Sequence, residues 1–125
     1  WPASGTTRPT PRMTTCERGS LVLVKFVFAD EKGAKQRPVL VVSGTSYNRG
    51  RREAVVAAVT SHVSRTLPGD YLVQEWAASG LVAPSTITGI LRTIKQEMIV
   101  KKIGTLPVTE LRAVETLLRE TLELA

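Results

Sequence analysis

Six basic residues, Lys32, Lys35, Arg37, Arg49, Arg51 and Arg52, fall within a 21-residue stretch that contains no acidic side chain. Such a run favours a polyanionic partner, because each cation that neutralises a phosphate releases counterions. It is also the composition of two solvated loops. Arg37 stands apart within it, since Pro38 and the apolar run Val39 to Val42 follow directly. A guanidinium is permanently charged and forked for bidentate contacts to phosphate, so Arg37 is the candidate for charge stabilisation. Further along, Thr60, Ser61 and His62 close another apolar run. If extension continues there, Thr60 and His62 share one face and Ser61 takes the other. The Thr60 hydroxyl suits a hydrogen bond to a phosphate oxygen, and the His62 imidazole suits proton transfer near neutral pH. The plain alternatives are a threonine that ends a strand and a histidine in a polar loop. Asp30 and Glu31, in a segment with turn chemistry, are the remaining candidates for a base.

Other chemistry is excluded more firmly. One cysteine, Cys16, allows no internal disulfide, and with one histidine it cannot build a tetrahedral zinc site. No metal and no cofactor are expected. The chain of 125 residues suits one domain with one core, and its 42% hydrophobic and 22% charged content is that of a folded protein. A net charge of +6 modestly favours nucleic acid. The longest apolar runs fall far short of the roughly 20 residues that span a bilayer, so no membrane is expected. The first twelve residues, WPASGTTRPTPR, lack the apolar stretch of a secretory signal. They read as a tag-like or disordered leader (1–12), with the domain over 13–125 and a cytoplasmic location.

The elements that must position these residues are mostly strands. Ser20 to Phe28 is β-branched and aromatic-rich and is followed by the turn-rich DEKGAKQ. Arg37 to Ser43 is a second strand with its proline at the opening position, where a missing donor does least harm. Residues 44 to 53 read as a polar loop. Ala54 to Ser61 is a third strand whose apolar residues point both ways, as in a central strand. A short strand is expected at Tyr71 to Val73, then one helical turn ended by Gly80, then strands at Thr86 to Ile94 and Lys101 to Leu106. After Pro107, Leu111, Val114, Leu117, Leu118 and Leu122 recur at helical spacing, with Thr109 as N-cap. Many short strands with one packing helix predict a mainly β fold, a small barrel with a C-terminal helix.

The order of several short pieces is more specific than any one of them. Arg18-Gly19-Ser20 opens the first strand; Phe26, Phe28 and Asp30 follow, then Gly33, Lys35, Arg37 and Pro38. Tyr47-Asn48, Thr60-Ser61, Trp76, Gly80-Leu81, Pro84-Ser85 and Ile103-Gly104-Thr105-Leu106 continue the series. Taken together, from Arg18 onward, the chain resembles the MazF/PemK toxins. The resemblance implies an SH3-like small β-barrel closed by a C-terminal helix. It also implies a homodimeric endoribonuclease toxin that cuts single-stranded RNA without a metal and is neutralised by a cognate antitoxin.

Arg37 and Thr60 match the family's functional arginine and threonine. Metal-free cleavage uses the 2′-hydroxyl as nucleophile, so the protein must take its proton, stabilise the phosphorane and protonate the departing 5′-oxygen. Arg37, Thr60 and His62 are the expected catalytic residues. Lys32, Lys35, Tyr47, Arg49, Arg51, Arg52 and Ser61 are expected to bind RNA, with Tyr47 stacking a base, while Trp76 is expected to be structural. Two positions depart from the pattern: Ser20 stands where an acidic residue is usual, and Gly89 where many members carry one. The rival reading is a non-catalytic toxin of this fold, which binds a protein target such as gyrase or binds nucleic acid without cutting it.

Overall fold

Among the described residues nine elements follow one another: β1 (Ser20–Val27), β2 (Ala34–Val41), α1 (Thr45–Arg51), β3 (Glu53–Thr60), β4 (Tyr71–Leu72), β5 (Thr86–Lys95), a 3-10 turn (Gln96–Met98), β6 (Ile99–Thr105) and α2 (Val108–Leu122). They are those of a computed structural model that describes residues 17–27, 34–64 and 66–124. The leader, Cys16, Phe28, Asp30, Glu31 and Lys32 lie outside the described residues. All six strands and α2 form where the residue patterns predict them, with β2 opening three residues earlier, at Ala34, and β6 two earlier, at Ile99. The polar segment after β2 is instead helical, and α2 begins before Thr109, at Val108.

The strands form one sheet in the order β4-β5-β3-β2-β1-β6, with antiparallel pairing throughout. β3 is interior to the sheet, and its two faces bury different clusters. Ala57 and Val59 face Leu21, Leu40, Ile87, Leu106 and Val114 under α2. Ala54 and Val56 face Val22, Val24, Val39, Val41 and Ile94 on the other side. Pro38 sits within β2 rather than at its start, but the ladder to β3 begins only at Val39. Its missing donor therefore costs no bond on that side.

The buried residues of the second cluster are at most 2% exposed, and of the described residues those packed against them are Phe26, Met98 and Ile99, not residues of α2. The connection from β5 to β6 explains how. These strands are separated in the sheet by β3, β2 and β1, a distance of about 19 Å if the sheet were flat. The path from Lys95 to Ile99 covers at most about 14 Å when fully extended, and a 3-10 turn shortens it further. The sheet must therefore curl, and Met98 and Ile99 close over the second cluster. Register shifts in the β1–β6 ladder add local twist in the same sense. Among the described residues β4 and β6 are the two edges of this curled sheet and are not paired with each other, so the ladders do not show closure of the barrel.

Two devices lock α2 and the following turns. The helix has no side-chain N-cap; instead the buried Glu110 carboxylate accepts the Gln74 and Glu75 backbone N–H groups at 2.6 and 3.0 Å and the Tyr71 hydroxyl at 2.8 Å. Burial first, and then the Glu110 carboxylate, push the Tyr71 phenol up to about 12. Elsewhere Gly80 crosses Gly104 so closely that a Cβ on either would overlap the carbonyl of Ile103 or of Ser79. Gly80 also takes φ +93, which only glycine adopts at no cost. The paired glycines of the motif are thus a backbone crossing.

Candidate functional site

The β2–β3 ladder pairs Val39 with Ala58, Leu40 with Ala57 and Val41 with Val56. Arg37 and Thr60 lie two residues beyond the last pair of this ladder, on the face that buries Val39 and Val56. At this end of the face exposure returns: Arg37 is exposed and Thr60 half-buried. The Thr60 Oγ1 accepts the His62 backbone N–H at 3.1 Å. That bond orients the hydroxyl and leaves its proton for an incoming oxygen. His62 is exposed and, with Thr60, Thr88 and Asp70, lines a cleft of about 700 Å³.

A bulge in β5 shapes this end. Ala57 pairs with Leu91 and Val59 with Ile87, so the three residues Thr88, Gly89 and Ile90 lie opposite Ala58 alone. The Thr88 hydroxyl spans the gap, donating to the Ala58 carbonyl at 2.9 Å and accepting the Ile90 N–H at 3.1 Å. A Cβ on Gly89 would come into van der Waals contact with the backbone of Gly69, in the loop before β4. On the far side of Ile90 is a smaller cleft of about 190 Å³, with Phe26, Arg37, Pro38 and Arg92 at its rim and Val39 and Val56 at its floor. The Arg92 guanidinium lies over the Phe26 ring at 4.8 Å, a cation–π distance.

The structure does not gather all the predicted residues here. Lys35 is exposed on β2 beside Phe26 of β1, close to Arg37. Ser61 is exposed but does not line the large cleft. Arg49, Arg51 and Arg52 belong to α1 or its C-terminal edge, beyond the Val41 end of β2, which is about 13 Å along the strand from Arg37, and beside the Glu53 end of β3, about 23 Å along it from Thr60. The reason is elementary: loops at the two ends of one strand cannot lie side by side. Arg51 also pairs with Glu53 at 2.9 Å and stacks over Tyr47 at 5.5 Å, so Tyr47 already has a cation on its ring.

Other motif residues are structural. Asn48 is 1% exposed and bonded to Ser43, whose Oγ also accepts the Val55 N–H. Arg18 pairs with Glu115 of α2 and donates to the Val42 carbonyl at 2.9 Å. Trp76 packs against the core under α2, as expected. Ser20 is 1% exposed, so its hydroxyl is out of reach of a ligand at the surface. Thr88, Ile90, Arg92 and Phe26 are the site residues that the sequence reading leaves out. The available signal was Gly89: glycine inside a strand often marks a bulge.

A family model described as the PemK-like, MazF-like toxins of type II toxin–antitoxin systems matches residues 17–122. No curated protein matches the chain significantly. Solved structures match over most of both chains. A MazE-MazF crystal structure (Form-III) from Deinococcus radiodurans has TM-score 0.73 at 21% identity, covering 89% of this chain and 99% of that one. The Mycobacterium tuberculosis toxin MazF-mt6 has TM-score 0.69 at 23% identity, covering 85% and 98%. An endoribonuclease in complex with its cognate antitoxin, from a mycobacterial species, has TM-score 0.70 at 19% identity, covering 87% and 96%. At these identities the structures establish the shared fold.

Proposed function

The chain belongs to the PemK-like, MazF-like toxins of type II toxin–antitoxin systems, and from that premise we propose that it is an endoribonuclease that cuts single-stranded RNA without a metal. What supports this reading is that Arg37 and Thr60 lie just beyond the last β2–β3 pair, Val39 with Ala58, at one end of the sheet, each lining a cleft open to solvent. The 2′-oxygen attacks the adjacent phosphorus, a new O–P bond forms, and the bond to the 5′-oxygen breaks. Arg37 neutralises the charge that grows on the phosphorane. Thr60, oriented by the His62 N–H, donates to a phosphate or leaving oxygen. His62, in the same cleft, carries a proton between the 2′-hydroxyl and the departing oxygen. Lys35 holds adjacent backbone, while Arg49, Arg51, Arg52 and Tyr47 are left to flanking RNA at the far end.

The partners follow from charge and form. An extended acidic segment of a cognate antitoxin fits a groove built for extended RNA, and complementary charge makes its association fast and salt-dependent. The working unit is a homodimer in the cytoplasm. Light scattering at twice the chain mass checks the first point, and a monomer overturns it. The test of the activity is incubation with total RNA in chelator, followed by sequencing of the new 5′ ends. New 5′-hydroxyl ends at one recurring short sequence are expected, and intact RNA removes the reading.

A further inference from the structure

Ile90 is 68% exposed in the middle of β5, a place where a large aliphatic side chain is ordinarily covered. It is not loose: the Thr88 hydroxyl fixes its backbone N–H and ties the bulge to Ala58. It also lines both clefts, standing as the ridge between them. The clefts differ in chemistry. One carries Thr60, His62, Asp70 and Thr88. The other offers the Phe26 ring, an apolar floor and the guanidinium of Arg92. Its 190 Å³ is below the range of pockets that take drug-sized ligands and suits a single ring system.

We propose that Ile90 is a wedge that enters between two successive bases of the RNA and splays them, seating one base in the Phe26–Arg92 cleft and leaving the phosphate between them at Arg37 and Thr60. The proposal rests on the ribonuclease reading and adds to it the positioning residue and the base subsite. Apolar side chains inserted between base steps are a general means of unstacking nucleic acid, and unstacked bases of single strands are what side chains recognise in RNA. Unstacking also serves the reaction. In-line attack needs the 2′-oxygen, phosphorus and 5′-oxygen close to one line, a geometry that stacked neighbours do not hold, and placing reacting atoms is worth large factors in rate. Charge supports RNA as the occupant, since the two guanidiniums at the rim, Arg37 and Arg92, face the same small cleft.

The experiment uses full-length protein and an RNA spanning the mapped cleavage site. In one form the scissile nucleotide is 2′-deoxy, so that it cannot react, and its 3′ neighbour is 2-aminopurine, whose fluorescence rises when it unstacks. Wild type is expected to raise the fluorescence. Ile90→Ala leaves it quenched and slows single-turnover cleavage of the reactive RNA by on the order of tenfold to a hundredfold, with affinity changed by less than about threefold. Ile90→Leu, which keeps the bulk, restores both signals. Cleavage and fluorescence unchanged in Ile90→Ala overturn the wedge and leave the ribonuclease standing. A wild-type protein that neither cleaves nor raises fluorescence overturns both. An Ile90→Ala protein that falls to half the mass of wild type assigns the side chain to a subunit contact and overturns the wedge.

Discussion

One face of the sheet behaves in two ways along its length. On β3, Ala54 and Val56 are sealed, at 0% and 1% exposure, while Ala58 and Thr60 on the same face are half-buried. On β2 the order is reversed in sequence but not in space: Val41 and Val39 are buried, and Arg37 is exposed. The alternation of residues is the same at both ends, so periodicity does not separate them. What differs is the cover. At the end near α1, the 3-10 turn and the start of β6 close over the face through Met98 and Ile99. At the other end the bulge of β5 turns Ile90 outward, and the face opens into two clefts. A strand can thus begin as core and end as site, with a change of covering element deciding where one becomes the other.

That comparison can be broken first at its sealed end. Ile94 is 2% exposed in the closed cluster, so Ile94→Ala should cost about 2–5 kcal/mol of stability. Denaturant unfolding should show the loss, while the single-turnover cleavage rate of the folded protein stays at the wild-type value. A large rate loss at full stability would join the two ends into one functional unit. The opposite face provides the next test. Glu110→Gln removes the charge that accepts two backbone N–H groups and a phenol, which should cost about 1.5–3 kcal/mol with cleavage again unaffected.

A smaller effect should appear in alkali. Tyr71 is raised from its ordinary 10.0 to about 12 in the fold. The stability linked to its protonated form is fully present below pH 10 and is lost as pH rises through 12, because the unfolded chain ionises first. Urea midpoints measured across that window should fall in wild type and fall less steeply in Tyr71→Phe. An equal slope in both would remove Tyr71 from the account of how α2 is held.

Much of this was legible in the residues, for reasons that differ by element. The β-branched runs of β1, β2 and β3 and the helical spacing of α2 announce themselves because each has a continuous apolar face to bury. α1 (TSYNRGR) has none; it is anchored by a polar side chain, Asn48, held by Ser43 and with its carbonyl bonded to Gln96. A helix held by hydrogen bonds leaves no periodic trace. Arg37 and Thr60 stand out by residue type and by the resemblance, and the structure puts both just beyond the last β2–β3 pair, at one end of the sheet. The α1 arginines were grouped with Arg37 because they are near in sequence, whereas the strand between them carries them to the other end. Ile90 and Arg92 were hidden because a bulge is a property of two paired strands, and of its cause only Gly89 appears in one of them.

The central claim is that chemistry resides at the open end of this face and not at the α1 end. Single-turnover cleavage of a defined RNA in chelator, comparing Arg37→Ala with Arg49→Ala and with circular dichroism confirming each fold, tests it most directly. Arg37→Ala should lose about a hundredfold in rate, the equivalent of about 3 kcal/mol in the transition state. Arg37→Lys, which keeps the charge but not the fork, should stay well below wild type. Arg49→Ala, at the far end of β2, should remain within about twofold of it. Full activity in Arg37→Ala, or equal losses in Arg37→Ala and Arg49→Ala, would contradict the account.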